Sequence, residues 1–331
     1  SDVCSSDLSA VKQVVTITFG LLASVKYHGQ FVYVMDRDRY VTLVNGVKVP
    51  VFGLGTSHAG GYSHEAVVYA LKDCNYRLLD TARRYGCENL LGQSIKESGV
   101  PAQEIFIVDK LWPTDYGYHT TLKACKTSLE KLGVDQLGLY LMHWPVCPSA
   151  CGNARATIKE TWRAMEKLYT SGMCKSIGVS NFTEDDIEEI LKDCSIAPHV
   201  NQIEFHPYNN PSELIHYCTD NQIQIQGYCP LGKGKLLDKN VIVDIAKKHN
   251  KTPAQILIRW SVENNVITIP KSTKVERVYE NSQIFDFTLD EDSLEVLNSL
   301  DEGLRVVDSS MIQETVDKGL PDGYKLHILQ N

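Results

Sequence analysis

Four side chains able to move protons lie at or just beyond the ends of short apolar runs. Asp80 closes the run YRLLD, Tyr85 follows five residues later, Lys110 comes directly after IFIVD, and His143 directly after LGLYLM. Together they make a proton-transfer set. An ammonium can neutralise the carboxylate and stabilise tyrosinate character, and an imidazole can hydrogen-bond a carbonyl oxygen and orient it. Each residue alone has a duller reading: a turn cap for Asp80, a solvated loop charge for Lys110, a structural histidine for His143. Their coincidence at successive run ends argues for chemistry. The later runs end in, or carry, Ser180-Asn181, Gln202 with Glu204, Tyr228, and Lys271-Ser272.

These positions share a location only if the runs are strands. VFGLG from Val51, YRLLD from Tyr76, IFIVD from Ile105, LGLYLM from Leu137, KSIGVS from Lys175, HVNQIEF from His199, IQIQGY from Ile223 and VITIP from Val266 alternate with helical patterns. Such runs, apolar on both faces and separated by amphipathic stretches, spell a parallel sheet with crossover helices. Thr183 to Lys192 opens with a Thr, carries Glu184, Asp185 and Asp186 in its first turn, and aligns Ile187, Ile190 and Leu191. Pro253 to Val262 opens on a Thr252 cap with Pro253 at the first helical position. With no linker or composition shift, eight strands favour a single (β/α)8 TIM barrel, an α/β fold, over a doubly wound sheet. No Gly-x-Gly-x-x-Gly follows a strand, and Gly53-Leu54-Gly55 lacks the third glycine of a dinucleotide fingerprint. Reactive residues of such barrels come from the C-terminal ends of the strands. Ahead of the barrel, Tyr40 to Val44 and Val47 to Val51 flank Asn45-Gly46, which reads as an N-terminal hairpin with a type I′ turn.

Composition bounds the rest. The 331 residues are 43% hydrophobic and 22% charged, which excludes a disordered or collagen-like chain. Lys and Arg number 33 against 41 Asp and Glu, a net charge of −8, so nucleic acid and anionic membrane are poor general partners, although a local cationic pocket is compatible. Ten cysteines without a Cys-x-x-Cys pair read as reduced thiols of a cytoplasmic protein. His143, Cys147 and Cys151 have helical metal-ligand spacing, but Pro145 and Pro148 forbid that helix, so no metal is expected. Residues 1–34 share no pattern with the barrel. Ser1 to Leu8 (SDVCSSDL) looks like translated adapter sequence, and Val14 to Ser24, preceded by Lys12, has the length and polarity of a signal-peptide core. A translated untranslated leader ahead of a start at Met35 is preferred to a signal or anchor, and the barrel domain is read as residues 35–331.

The stretches Leu79-Asp80-Thr81-Ala82, Tyr85 with Glu88 and Gly92, Lys110-Leu111-Trp112, Leu141-Met142-His143-Trp144-Pro145, Gly178-Val179-Ser180-Asn181-Phe182, Gly227-Tyr228 with Pro230-Leu231, and Ile269-Pro270-Lys271-Ser272 resemble the aldo-keto reductase superfamily from about Tyr40 to Asp301. The resemblance implies an NADPH-dependent aldehyde or ketone reductase with Tyr85 as general acid and Asp80, Lys110 and His143 as its partners. It implies that Thr56, Ser180, Asn181, Gln202, Tyr228 and Leu231 belong to the cofactor site, Tyr228 stacking on the nicotinamide ring. One departure is Cys87, where the family commonly has Asn.

The end of the barrel offers an independent indication. Lys271, Ser272 and Thr273 follow the last strand where a short helix begins, with Arg277, Glu280 and Asn281 on one face, and backbone N–H groups at a helix start make an anion site. By resemblance this set grips the adenosine 2′-phosphate and adenine, which favours NADPH over NADH. Short connections and a polar tail from Gly303 imply an open pocket walled by Trp112, Trp144 and Tyr116, in a chain expected to act as a monomer on small carbonyl compounds. A non-catalytic dinucleotide-binding subunit, crystallin-like or channel-associated, and a phosphate-sugar lyase or isomerase are the rival readings. A chain that begins at Met35 is expected to fold and to keep full turnover; loss of either would show that residues 1–34 belong to the fold.

Overall fold

The computed structural model describes residues 24–27, 30–33, 39–57 and 60–319. The SDVCSSDL segment, the apolar stretch up to Ser24, the start at Met35 and the last twelve residues lie outside them. The chain divides into two compact units, Ser1–Tyr40 and Val41–Asn331. In the first, β1 (Ser24–Tyr27) pairs antiparallel with β2 (Gln30–Tyr33), Val25 lying opposite Val32.

In the second, β3 (Tyr40–Thr42) and β4 (Lys48–Pro50) form the expected hairpin. Its turn differs from the type I′ expectation. Gly46 N donates to Leu43 O at 2.8 Å and Leu43 N to Val47 O at 2.9 Å, so three residues form the loop and only Gly46 takes a positive φ, +81°. Asn45 instead sends its amide to Lys175 O at 3.1 Å and Ser176 Oγ at 3.3 Å, a tertiary contact that overrides the local turn preference.

Eight parallel strands follow: β5 (Leu54–Gly55), β6 (Leu78–Asp80), β7 (Phe106–Leu111), β8 (Leu137–Met142), β9 (Cys174–Ser180), β10 (Val200–Glu204), β11 (Gln224–Tyr228) and β12 (Ile267–Ile269). Each pairs with the next, and the circle closes where Gly53 N donates to Thr268 O at 3.0 Å and Thr268 N to Val51 O at 2.8 Å. All eight runs read from the sequence are these strands. Helices α1 (His64–Lys72), α2 (Glu88–Ser98), α3 (Tyr118–Leu132), α4 (Ala154–Thr170), α5 (Glu184–Leu191), α6 (Ser212–Asp220), α7 (Asn240–His249), α8 (Pro253–Glu263), α9 (Val275–Ser282), α10 (Glu291–Asn298) and α11 (Ile312–Asp317) are the described helices of this unit. Thr183 with Asp186 and Thr252 with Gln255 form reciprocal capping boxes that start α5 and α8 where the sequence places them.

Alternation along each strand separates two cores. Leu78, Phe106, Val108, Leu139, Leu141, Val200, Ile267 and Ile269 form one apolar cluster in the barrel, to which the hairpin adds Leu43 and Val49. The intervening residues, such as Ile107, Tyr140, Met142 and Ile177, belong to the larger cluster shared with the helices. Continuing the first alternation toward the C-terminal ends leads from Leu78 to Asp80, from Val108 to Lys110 and from Val200 to Gln202 and Glu204. A dry floor therefore lies beneath a polar mouth. Gly178 lets β9 and β10 approach, since a Cβ there would lie 2.3 Å from Val200 O.

Candidate active site

Lys110 is fully buried, yet its ammonium is well bonded. Nζ donates to Asp80 Oδ1 at 2.6 Å, to Thr81 O at 2.9 Å and to the Tyr85 hydroxyl oxygen at 3.4 Å. The other Asp80 oxygen accepts from Gln202 Nε2 at 2.8 Å, and that amide also donates to Gln226 Oε1 at 2.9 Å. Burial raises the Asp80 carboxyl pKa, and Lys110 and Gln202 oppose the rise by stabilising the anion. Tyr85 ends a short 3₁₀ turn, Arg83–Tyr85, that continues from β6. Burial, reinforced by the Asp80 charge, holds its phenol well above the usual value, so it keeps its proton at neutral pH. The His143 ring stands edge-on to Tyr85 with centroids 5.7 Å apart, and edge-on to Trp112 at 5.3 Å. The four residues expected to act together therefore do meet at one mouth.

The next strand ends supply a supporting frame. Asn181 adopts φ +64°, a left-handed conformation that Asn tolerates, and its Nδ2 donates to His143 O at 3.0 Å. Its Oδ1 accepts from the Tyr228 hydroxyl at 2.7 Å, and Ser180 Oγ donates to Gln202 O at 2.9 Å. Ser180, Asn181, Gln202 and Tyr228 thus form one connected set beside the tetrad. The Thr56 hydroxyl donates to Asp80 O at 2.9 Å, and Leu231 is half-buried just before the 3₁₀ turn Gly232–Gly234.

Lys271, Ser272 and Thr273 are half-buried after β12, with Lys271 Nζ donating to Gly61 O at 2.7 Å. Helix α9 begins without a side-chain cap, and Arg277 is exposed in its first turn. Asn281 is buried on the same helix, while Glu280 accepts from the Thr252 hydroxyl at 2.7 Å, which ties α9 to α8. Cys87, the departure from the family pattern, is fully buried with its thiol 3.5 Å from Thr81 Oγ1 and 3.6 Å from Thr56 Oγ1, so it packs the Tyr85 loop without disturbing the tetrad.

Tyr116 is 7% exposed and donates its hydroxyl to Trp144 O at 2.6 Å, so it braces the Trp144 loop. The tail is docked at several points. Val306 N and Val307 N donate to the two oxygens of Glu204 at 2.6 and 2.9 Å, Leu304 N donates to Tyr208 O at 2.8 Å, and Ser149 N donates to Asp317 Oδ1 of α11 at 2.7 Å. Leu304, Val306 and Val307 anchor the tail through backbone donors, which composition does not show. Burial alone would raise the Glu204 pKa, but His206 Nε2 at 3.1 Å and the two N–H groups hold it below its usual value.

Two supporting residues escaped the sequence reading. Gln226, which holds the Gln202 amide, was legible in the alternation Gln224, Gln226, Tyr228. Asp109, next to Lys110, faces outward with Oδ1 accepting from Lys110 N at 2.8 Å. Nearby, Glu88 is 1% exposed and accepts from Ser128 Oγ at 2.6 Å and Lys131 Nζ at 2.7 Å.

A closed parallel barrel whose mouth gathers a buried Asp–Lys pair, a protonated tyrosine and a histidine has the architecture of a (β/α)8 enzyme, with polar groups at the C-terminal strand ends. The Aldo/keto reductase family profile matches residues 52–302. The glyoxal reductase of Bacillus subtilis is 46% identical over 268 residues, covering 80% of this chain and 94% of the relative. A solved aldo/keto reductase from Brucella melitensis superposes with a TM-score of 0.75 at 41% identity, covering 81% of this chain and 99% of its own. A Bombyx mori aldo-keto reductase solved with NADP gives 0.76 at 31% identity, covering 82% and 95%. The chain belongs to the aldo-keto reductase family of oxidoreductases.

Burial, reinforced by the Glu88 charge, pushes the Asp109 carboxyl up to about 8. The folded protein then keeps a proton up to that pH which the unfolded chain releases near ~3.9, so this group makes stability fall as pH rises from about 4 to about 8. Asp109→Asn is expected to flatten the fall, by on the order of a few kcal/mol between the two limits. Urea unfolding of both proteins at pH 5 and pH 8 checks it, and equal pH dependence would refute it.

Proposed function

We propose that this protein reduces small aldehydes and ketones with NADPH, Tyr85 delivering the proton. The observation that carries the reading is the Lys110 ammonium, 3.4 Å from the Tyr85 oxygen and 2.6 Å from Asp80. When Tyr85 gives its proton to a carbonyl oxygen, the negative charge it keeps lies beside an ammonium held in place by Asp80 and Thr81 O. His143 stands across from Tyr85 and orients the carbonyl oxygen between them. Trp112 is 2% exposed and its Nε1 has no hydrogen-bond partner among the described residues, a donor suited to a substrate oxygen.

NADPH, when bound, supplies a hydride to the carbonyl carbon. The residues present fit it. Helix α9 starts without a side-chain cap beside Lys271 and Arg277, a donor set with the charge and N–H groups that a phosphate needs. Ser180, Asn181 and Gln202 offer hydroxyl and amide groups for a carboxamide, and Tyr228 an aromatic face. The Bombyx mori relative's complex with NADP and the Bacillus subtilis relative's glyoxal reduction support the cofactor and the small substrate. Free thiols at all nine described cysteines support a reducing, cytoplasmic setting.

Tyr85→Phe is expected to lower carbonyl reduction by far more than tenfold, about 1.4 kcal/mol of barrier, while NADPH binding stays near wild type. A smaller fall in turnover would mean another acid. Arg277→Ala is expected to weaken NADPH by about ten- to a hundredfold and to leave NADH almost unchanged, since each charge-assisted phosphate contact contributes ~1.5 to 3 kcal/mol. Fluorescence titration of both dinucleotides decides; equal losses would refute the 2′-phosphate assignment.

A further inference from the structure

A line of four side chains ties the start of α1 to α2 and ends beside the bend that holds Lys271. The Glu97 carboxylate lies 2.7 Å from His64 Nε2, His64 Nδ1 lies 2.8 Å from Ser94 Oγ, and Ser94 Oγ lies 2.7 Å from the Tyr62 hydroxyl. Glu97 is exposed and His64 half-buried, whereas Ser94 and Tyr62 are buried. With the imidazole neutral, one order of donors satisfies every link. The carboxylate accepts from Nε2–H, Nδ1 accepts from the Ser94 hydroxyl, and Ser94 accepts from Tyr62. Burial holds the Tyr62 phenol well above its usual range, so it keeps the proton it donates.

The bend comes directly before Tyr62. Gly60 and Gly61 both take φ +79°, and glycine leaves many other conformations open, so local preference alone does not fix their course. Tyr62 is the first buried side chain after them, and Ser63 then caps α1 by accepting from Ala66 N. Gly61 O accepts from Lys271 Nζ at 2.7 Å, and a Cβ on Gly60 would lie 3.5 Å from the same nitrogen. The ammonium therefore rests against the two glycines whose course the Tyr62 hydroxyl secures.

We propose that Tyr62 is a positioning residue for cofactor selection: held by Ser94, His64 and Glu97, it fixes the Gly60–Gly61 bend, and through Gly61 O it sets where the Lys271 ammonium meets the 2′-phosphate of NADPH. This rests on the NADPH reading above.

Fluorescence titration of NADPH and NADH into wild type, Tyr62→Phe, Lys271→Met and the double variant tests it. Tyr62→Phe keeps the ring and removes the hydroxyl. It is expected to raise the NADPH Kd about fivefold or more, to leave the NADH Kd within about twofold, and to raise KM for NADPH with little change in kcat. In the Lys271→Met background the same substitution should change the NADPH Kd by less than about twofold, because the group it positions is gone. His64→Leu removes the acceptor of the Ser94 hydroxyl at a half-buried position, and should shift NADPH in the same direction by a smaller factor even if Tyr62→Phe does not fold. Equal losses for both dinucleotides, no loss in either variant, or the same effect of Tyr62→Phe with and without Lys271 would show that the line only braces α1 against α2 and would overturn the proposal, while a wild-type preference for NADPH left the cofactor reading standing. A wild type that binds NADPH no tighter than NADH would remove both.

Discussion

The buried Lys110–Asp80 pair is the interaction on which the rest of the mouth depends. A charged amine without water is tolerable only with every donor engaged, and here the three acceptors come from Asp80, Thr81 and Tyr85. Those acceptors come from one strand end and the turn after it, so the pair fixes where β6 stops and where the Tyr85 loop starts. The second Asp80 oxygen passes the constraint across the barrel to Gln202 and Gln226. Ion pairing, strand termination and placement of the acid are one event.

Period-two alternation then assigns opposite duties to neighbours. In β7, Lys110 joins the mouth while Asp109 belongs to the layer between sheet and helices, near Glu88 and Tyr140. A carboxyl placed there raises the cost of deprotonation without touching the substrate side. The site thus has a polar front with matched partners and, one residue away, a polar back whose groups are less completely matched.

Most of the fold was legible because its signals are local. Eight apolar runs, the Thr183 and Thr252 caps and the strand-end polar residues report backbone geometry directly, and the four catalytic candidates follow from where the strands end. Less legible features arise from contacts between distant residues. The Asn45-Gly46 turn changed type because Asn45 reached Lys175 and Ser176. Tyr116 was an aromatic near the mouth in the sequence, and its bond to the Trp144 carbonyl joins residues 28 positions apart, which no local pattern reports. The docking of the tail depends on Glu204, a carboxylate about a hundred residues upstream that binds backbone N–H groups and so leaves no side-chain pattern to read.

Barrel closure has a consequence for the order in which the molecule can be made. The seam joins Val51 and Gly53 to Thr268, and the mouth is completed only when Val306 and Val307 reach Glu204. A ribosome releases these partners well after the strand and the carboxylate that they join. Until then β5 is an open edge whose amides lack their final neighbour, and the growing chain can hold paired inner strands but no finished ring. Assembly of the first strand into its final place therefore waits for the last, and the interval before it is when the chain is most exposed to pairing with another copy of itself.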